Sequence, residues 1–354
     1  MGEVEWLMVN AGPVIRYRTA AEVMRETDSA QIARLEEDLI SSEMVETWLG
    51  NVVPRFKSYE MHGSKPEAWE NAMGKIYDFG LRKGMASLDR ATAPFLVWLK
   101  ERLGSPKGEH PSSFYLMLVA AFLAMTSYSE EEAVERVLSE RLDTIYPFAR
   151  RGDLSDFYVS KEGYRLTKVW RDRLLINPEL SEREVIPTIH DLNGFLYSRT
   201  VMNDPTLREK VETIVGFILI PDYQELEPGY GILYERETRK FFAAGWSVHL
   251  SGFIDREERG RSIDFDRSNL LRLSTLSRSK TARGHPWFRR SVEELEKHRE
   301  GDGLLTFPKE WLPKRATGYW ISGKRMALEE NRRPRRAITA ESTFRYLEIT
   351  ADKG

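Results

Sequence analysis

Along most of this chain apolar residues return every three or four positions, the spacing of helices that bury one face. In "TDSAQIARLEEDLISSEMVETWLGNV" an Asp/Ser start signal precedes Ile32, Leu35 and Leu39, which share a face. "SEEEAVERVLSERLDTIYPFA" aligns Val134, Leu138 and Ile145 and offers Ser129 as a cap. Its glutamate-rich first turn suits the positive end of a helix dipole. Asp204-Pro205 and His285-Pro286 each set a polar residue before proline, the pattern of an N-cap and a first helical position. The glycines of "KHREGDG" then supply a stop. Residues 114–126, "FYLMLVAAFLAMT", have no polar face and predict a buried helix. That run falls short of the roughly 20 residues that cross a bilayer.

Strand signals are few. "GYGILYERETRKFFAAG" reads as a short hairpin turning at "ERET", and "DGLLTFP" as a brief extended piece. No Ser/Gly-rich or Pro-rich linker interrupts the punctuation, so residues 1–354 are expected to form a single large all-α domain with at most a short β-hairpin.

Several segments narrow that architecture. Aromatic-leucine helix ends recur in "VEWLMV", "VETWLGNV" and "PFLVWLKERLG", and weak repetition of helix pairs marks solenoids and closed rings of helical hairpins. "WLMVNAGPVIRYRTAAEVM", "IYDFGLRKGMASLDRATAPFLVWL" and "HPWFRRSVEELEKHREGDGLLTFP" resemble uncharacterised bacterial proteins of the prenyltransferase and squalene-cyclase repeat type. The resemblance implies an α/α toroid, inner and outer helices around a central cavity. The motifs of characterised members of that type are missing. "SIDFDRSN" offers Asp264 and Asp266 without a third carboxylate, no Asp-Asp-x-x-Asp run occurs, and no cysteine is present for zinc.

Composition removes other classes. A formal charge of -2 argues against wholesale adhesion to nucleic acid or membranes. The absence of cysteine excludes disulfides, thiol nucleophiles and thiolate zinc sites. With no basic leader in "MGEVEWLMVN", it points to the reducing cytoplasm. The six histidines (62, 110, 190, 249, 285, 298) show no metal-ligand spacing, and no Walker, dinucleotide or His-Glu-x-x-His pattern occurs. Neither a metal nor a cofactor is expected. The charge is uneven, however. Residues 259–290 hold nine Lys/Arg against two Asp, and residues 309–336, including "NRRPRR", hold nine against three Glu. Such a basic C-terminal third offers a phosphate-binding mouth, a surface for nucleic-acid backbone, or simply a solvated face paired with acidic helices.

Candidate chemistry lies in three stretches. If residues 241–250 are helical, Phe242, Trp246 and His249 share one face and suit the wall of an apolar pocket. In "VIPTIHDLNGFLYSR" His190 and Tyr197 lie on one helical face around the notch at Gly194, with Asp191 pointing elsewhere. "IPDYQELEPGYGILYE" offers Tyr223 and Tyr230 for a half-wet rim. Asp78, among apolar neighbours, is a candidate buried acid. Each also has a packing alternative, in which the polar group caps a helix or finds a structural partner. The reading that unites them is binding, with conversion a further step, of a largely apolar, isoprenoid-like small molecule. His190, Tyr197, Tyr230, Phe242 and Trp246 line the pocket, and His249 or Asp191 moves a proton. The rivals are a non-enzymatic helical scaffold binding nucleic acid or a protein through Arg332, Arg333, Arg335 and Arg336 as an exposed stripe, and a carbohydrate-active α/α barrel with opposed carboxylates.

Overall fold

A computed structural model describes residues 2–104, 113–253 and 267–351. Among the described residues 59% are helical and 5% in strands, so helix packing decides the architecture. Helices α1 (Glu3–Asn10) and α2 (Pro13–Arg18) open it, and α3 (Ser29–Ile40) follows behind the Asp28 cap. The centre holds α4 (Trp69–Asp78), α5 (Ser113–Met125) and α6 (Glu132–Arg151). Then come α7 (Ile189–Tyr197), α8 (Pro205–Ile218), α9 (Arg267–Leu276) and α10 (Arg335–Thr350).

The apolar run forms α5 as expected, and every residue from Met117 to Met125 is buried. Helices α4, α6 and α7 pack around it, α8 lies on α6, α9 bridges α7 and α10, and α1 packs against α10. Each buried Leu, Val or Phe of α5 contributes roughly 1.5–3 kcal/mol relative to exposure, so this one helix supplies much of the core. Asp204 caps α8 with Pro205 in its first turn, and the His285 ring accepts from Trp287 N at the start of the Pro286–Glu296 helix, both as the sequence indicates. Ser129 does not cap α6. Glu131 is the N-cap residue, and the Ser129 hydroxyl instead accepts from Arg199 N at 3.1 Å.

The sheet is larger than a hairpin. Strands β1 (Tyr158–Val159), β2 (Leu175–Ile176), β3 (Ile232–Glu235) and β4 (Lys240–Ala243) lie in the order β1-β2-β3-β4. The hairpin β3–β4 is antiparallel, with Ile232 opposite Ala243 and Glu235 opposite Lys240. Two-residue strands carry no period for a sequence to display, which is why β1 and β2 escape notice. The same sheet corrects the helical reading of residues 241–250. That stretch is β4 followed by irregular chain, so Trp246 and His249 share no helix face.

Where α2, α4 and α10 meet, the interior is ionic. Asp78 accepts from Arg345 Nη2 at 2.8 Å, Trp320 Nε1 at 2.9 Å and Lys75 Nζ at 3.3 Å. Arg345 also pairs with Glu348 at 3.0 Å, and Glu348 with Arg18 at 2.7 Å. Burial pushes the Lys75 ammonium down to about 8, with Asp78 opposing the drop. Asp78, a candidate buried acid from the sequence, is therefore the anchor of a charge network, the structural alternative to that role. Gly74, one turn earlier, has the Trp320 indole lying directly on it, where a Cβ would collide with ring carbons. Gly74→Ala is expected to lower unfolding free energy by about 2 kcal/mol in a denaturant titration. An unshifted midpoint would mean that the indole has room to move.

Candidate functional site

A cleft of about 1340 Å³ lies between the β3–β4 hairpin and the α5–α7 face. It is roomy enough for a drug-sized ligand. The Thr188-x-x-Asp191 capping box fixes the α7 edge. Thr188 N donates to Asp191 Oδ2 at 2.8 Å, and Asp191 N donates to Thr188 Oγ1 at 3.3 Å. The same carboxylate takes a two-pronged contact from Arg141 on α6, Nε and Nη2 each at 3.0 Å, while Arg141 Nη1 reaches Glu184 O at 2.7 Å. Asp191, proposed from the sequence as a proton-transfer group, is thus a buried cap and ion-pair partner.

The opposite edge leaves β4 through two left-handed residues, Gly245 (φ 67°) and Trp246 (φ 56°). A tryptophan rarely adopts that conformation. It is held here because Gly245 N donates to Gly229 O at 3.0 Å and Ile189 N to Trp246 O at 3.0 Å. The kink turns the indole into the cleft, onto the His62 ring at 4.8 Å between centroids.

His62 ends the short Ser58–Met61 helix, and its loop is pinned by buried Asn71, which donates to Gly63 O at 2.8 Å and Lys65 O at 2.7 Å. Behind the imidazole, Glu70 in the first turn of α4 is closed off from solvent and bonded to His62 Nδ1. Tyr319 stacks on the ring at 4.9 Å, and Phe114 meets its edge at 5.2 Å. A carboxylate at Nδ1 assigns the proton to that nitrogen and leaves the Nε2 lone pair free to act as a base. No described protein group bonds Nε2. Because no hydroxyl sits on it, the pair is an oriented base without an attached serine nucleophile.

His190, on the first turn of α7, packs against Phe114 at 5.7 Å and Trp246 at 5.9 Å, with both ring nitrogens buried and without partners. Burial pushes its pKa down to about 4, with Glu70 pulling up and His62 pushing down. The ring is therefore neutral through the physiological range.

The cleft unites His190, Trp246, Tyr230, Phe242 and Asp191 from the sequence candidates. Tyr230 belongs to its floor and not to a wet rim. It and Tyr223 are both buried and bonded to each other, and Tyr230 Oη donates to Pro187 O at 2.6 Å. Phe242 lies at the mouth, exposed on β4. His249 is outside. Its Nε2 meets Leu226 O and its Nδ1 meets Ser247 Oγ, each at 2.7 Å, and burial lowers its pKa. Tyr197 is also outside, at the far end of α7, bonded to Tyr77 at 2.6 Å with Arg278 over its ring at 3.9 Å. The sequence reading missed His62, Glu70, Phe114 and Arg141. Its one available signal was Glu70, a carboxylate within "PEAWENAMGKIYDF", where helical packing leaves it no solvent.

Among the described residues no three His, Asp or Glu side chains converge as metal ligands, and no helix is long and apolar enough to cross a membrane. The basic C-terminal third does not present its four arginines as one stripe. Arg332 turns inward to Glu341 at 2.6 Å and Leu312 O at 2.7 Å, and Arg335 pairs with Glu300 at 2.5 Å. Asp264, Asp266 and the basic residues Arg259 and Arg261 lie outside the described residues. Compared with models of protein families, with curated proteins and with solved structures, the chain matches none.

Proposed function

We propose that the cleft binds a small, largely apolar molecule with a flat part, and that His62, oriented by Glu70, exchanges a proton with it or with a water beside it. The observation that carries this reading is the Glu70–His62 pair set among Tyr319, Phe114 and Trp246, with His62 lining the cleft and its Nε2 bonded by no described protein group. Aromatic walls supply binding through area and ring contacts, and an oriented imidazole supplies a base. An isoprenoid chain is one apolar ligand of this kind. A ring of helical hairpins remains part of the proposal, supported by the packing of α1 on α10. The carbohydrate-active alternative stands second, because Asp191 and Glu182 at the cleft are already engaged by Arg141 and Arg236.

The test uses 2-naphthalenemethanol as a neutral flat probe. Bound probe is expected to protect His62 from diethyl pyrocarbonate, as read by peptide mass mapping. Trp246→Ala is expected to weaken the probe roughly tenfold or more. Undiminished His62 modification with probe bound, or unchanged affinity in Trp246→Ala, would overturn the site.

A further inference from the structure

The charge of the cleft and the buried, unpartnered His190 ring together select a ligand class. Five carboxylates line the cavity (Glu182, Glu184, Asp191, Glu235 and Glu237) against two arginines. Both arginines are spent within the protein, Arg141 on Asp191 and Glu184 O, and Arg236 on Glu182 at 2.8 Å. Behind His62 the Glu70 carboxylate adds a further negative charge, and its Oε1 is buried without a hydrogen bond. An anionic ligand would enter this field unpaired, and a cation would be drawn in. The walls agree, since indole and phenol faces attract ammonium groups.

His190 supplies the second, independent observation. It is 1% exposed, lines the cleft, and leaves both ring nitrogens without a partner. A buried polar group in that state carries an unmet desolvation cost, which native proteins tolerate mainly where something else completes the bond. Its place is set by a capped helix and by rings it shares with His62, namely Phe114 and Trp246. A neutral imidazole offers one lone pair, which accepts an N–H from an ammonium without adding charge of its own. The low pKa of the ring keeps that lone pair available at neutral pH.

We propose that the molecule taken by the cleft is a cationic amine bearing a flat apolar part, its ammonium held by the His190 lone pair within the acidic, aromatic-walled cavity. This deepens the small-molecule reading given above and rests on it. It also sets the cleft against diphosphate, phosphate and carboxylate ligands, which find no unpaired cation among the described lining residues.

The experiment is a calorimetric titration at neutral pH with three probes of one shape: 2-naphthylmethylamine, 2-naphthalenemethanol and 2-naphthoate. Wild-type protein is expected to bind the amine at least tenfold more tightly than the alcohol and the carboxylate weakest, the gap narrowing with salt. His190→Phe, which keeps the ring and removes the nitrogens, is expected to weaken the amine about threefold more than the alcohol. Glu235→Gln with Glu237→Gln, at exposed positions of the hairpin, is expected to narrow the amine preference about threefold without touching the fold. If naphthoate binds as tightly as the amine, the cationic class is wrong while the cleft itself stands. If wild-type protein binds none of the three, the cleft reading fails and this inference with it. Equal losses for amine and alcohol in His190→Phe would make that ring a packing element, and the wild-type charge series decides the ligand class even if that variant does not fold.

Discussion

Asp78→Ala is expected to cost 3–5 kcal/mol of unfolding free energy, on the order of half the stability of an ordinary domain. The loss does not come from the carboxylate's own attraction, most of which its desolvation offsets. It comes from what remains behind. Arg345 is 1% exposed and keeps Glu348 as its carboxylate partner, while Lys75 keeps only the Arg325 and Ala327 carbonyls and Trp320 Nε1 is orphaned. A buried charge or donor without its partner is the expensive species. Asp78→Asn, which retains an acceptor, should lose distinctly less in the same denaturant titration. Equal losses for the two variants would show that shape and not charge sets the cost.

The second large effect is a pH dependence centred on Glu329. This side chain accepts from Gly12 N at 2.7 Å where α2 begins. Burial raises its pKa to about 7, with Glu341 adding to the rise and the Gly12 hydrogen bond, Arg16 and Arg336 opposing it. A carboxyl raised in the folded state binds its proton more tightly there than in the unfolded chain. Its contribution is therefore full below the ordinary carboxyl value, near 4.5, and is lost as pH climbs to about 7. The difference between wild type and Glu329→Gln should change by on the order of 3 kcal/mol across that window. The variant should gain on the wild type as pH rises. A constant difference across pH 4.5–7 would place the titration elsewhere.

What the sequence reveals follows from how local each signal is. The α8 start is legible because Asp204 and Pro205 act on their own backbone, and α5 because twelve consecutive apolar residues leave no other place for it. The hairpin is legible from its alternation and turn. The Trp246 kink is not, because no local preference favours a left-handed tryptophan. Bonds to Gly229 and Ile189 impose it, the latter 57 positions away. The His62–Glu70 pair is hidden for a related reason. Eight residues separate the two, and the loop between them is set by Asn71, whose own position is fixed by Trp320 N at 2.7 Å from 249 residues later. Ring and charge partners that meet only through tertiary packing leave no spacing to read. The helical expectation for residues 241–250 failed because small and aromatic residues fit a helix face and a strand equally well.

The ionic joint of α2, α4 and α10 sets the order in which the protein can be made. Arg345 lies 267 residues after Asp78, and Glu348 lies 330 after Arg18. At bacterial-scale rates of about 5–20 residues per second, the ribosome takes roughly 15–50 seconds to deliver the cation after its acid. During that interval α4 has Lys75 beside Asp78 and Arg18 on the Asp78 carbonyl, but no Arg345 guanidinium on the Asp78 carboxylate. Helix α5 can already pack on α4, α6 and α7 as they emerge, but the ionic joint stays open until α10 arrives.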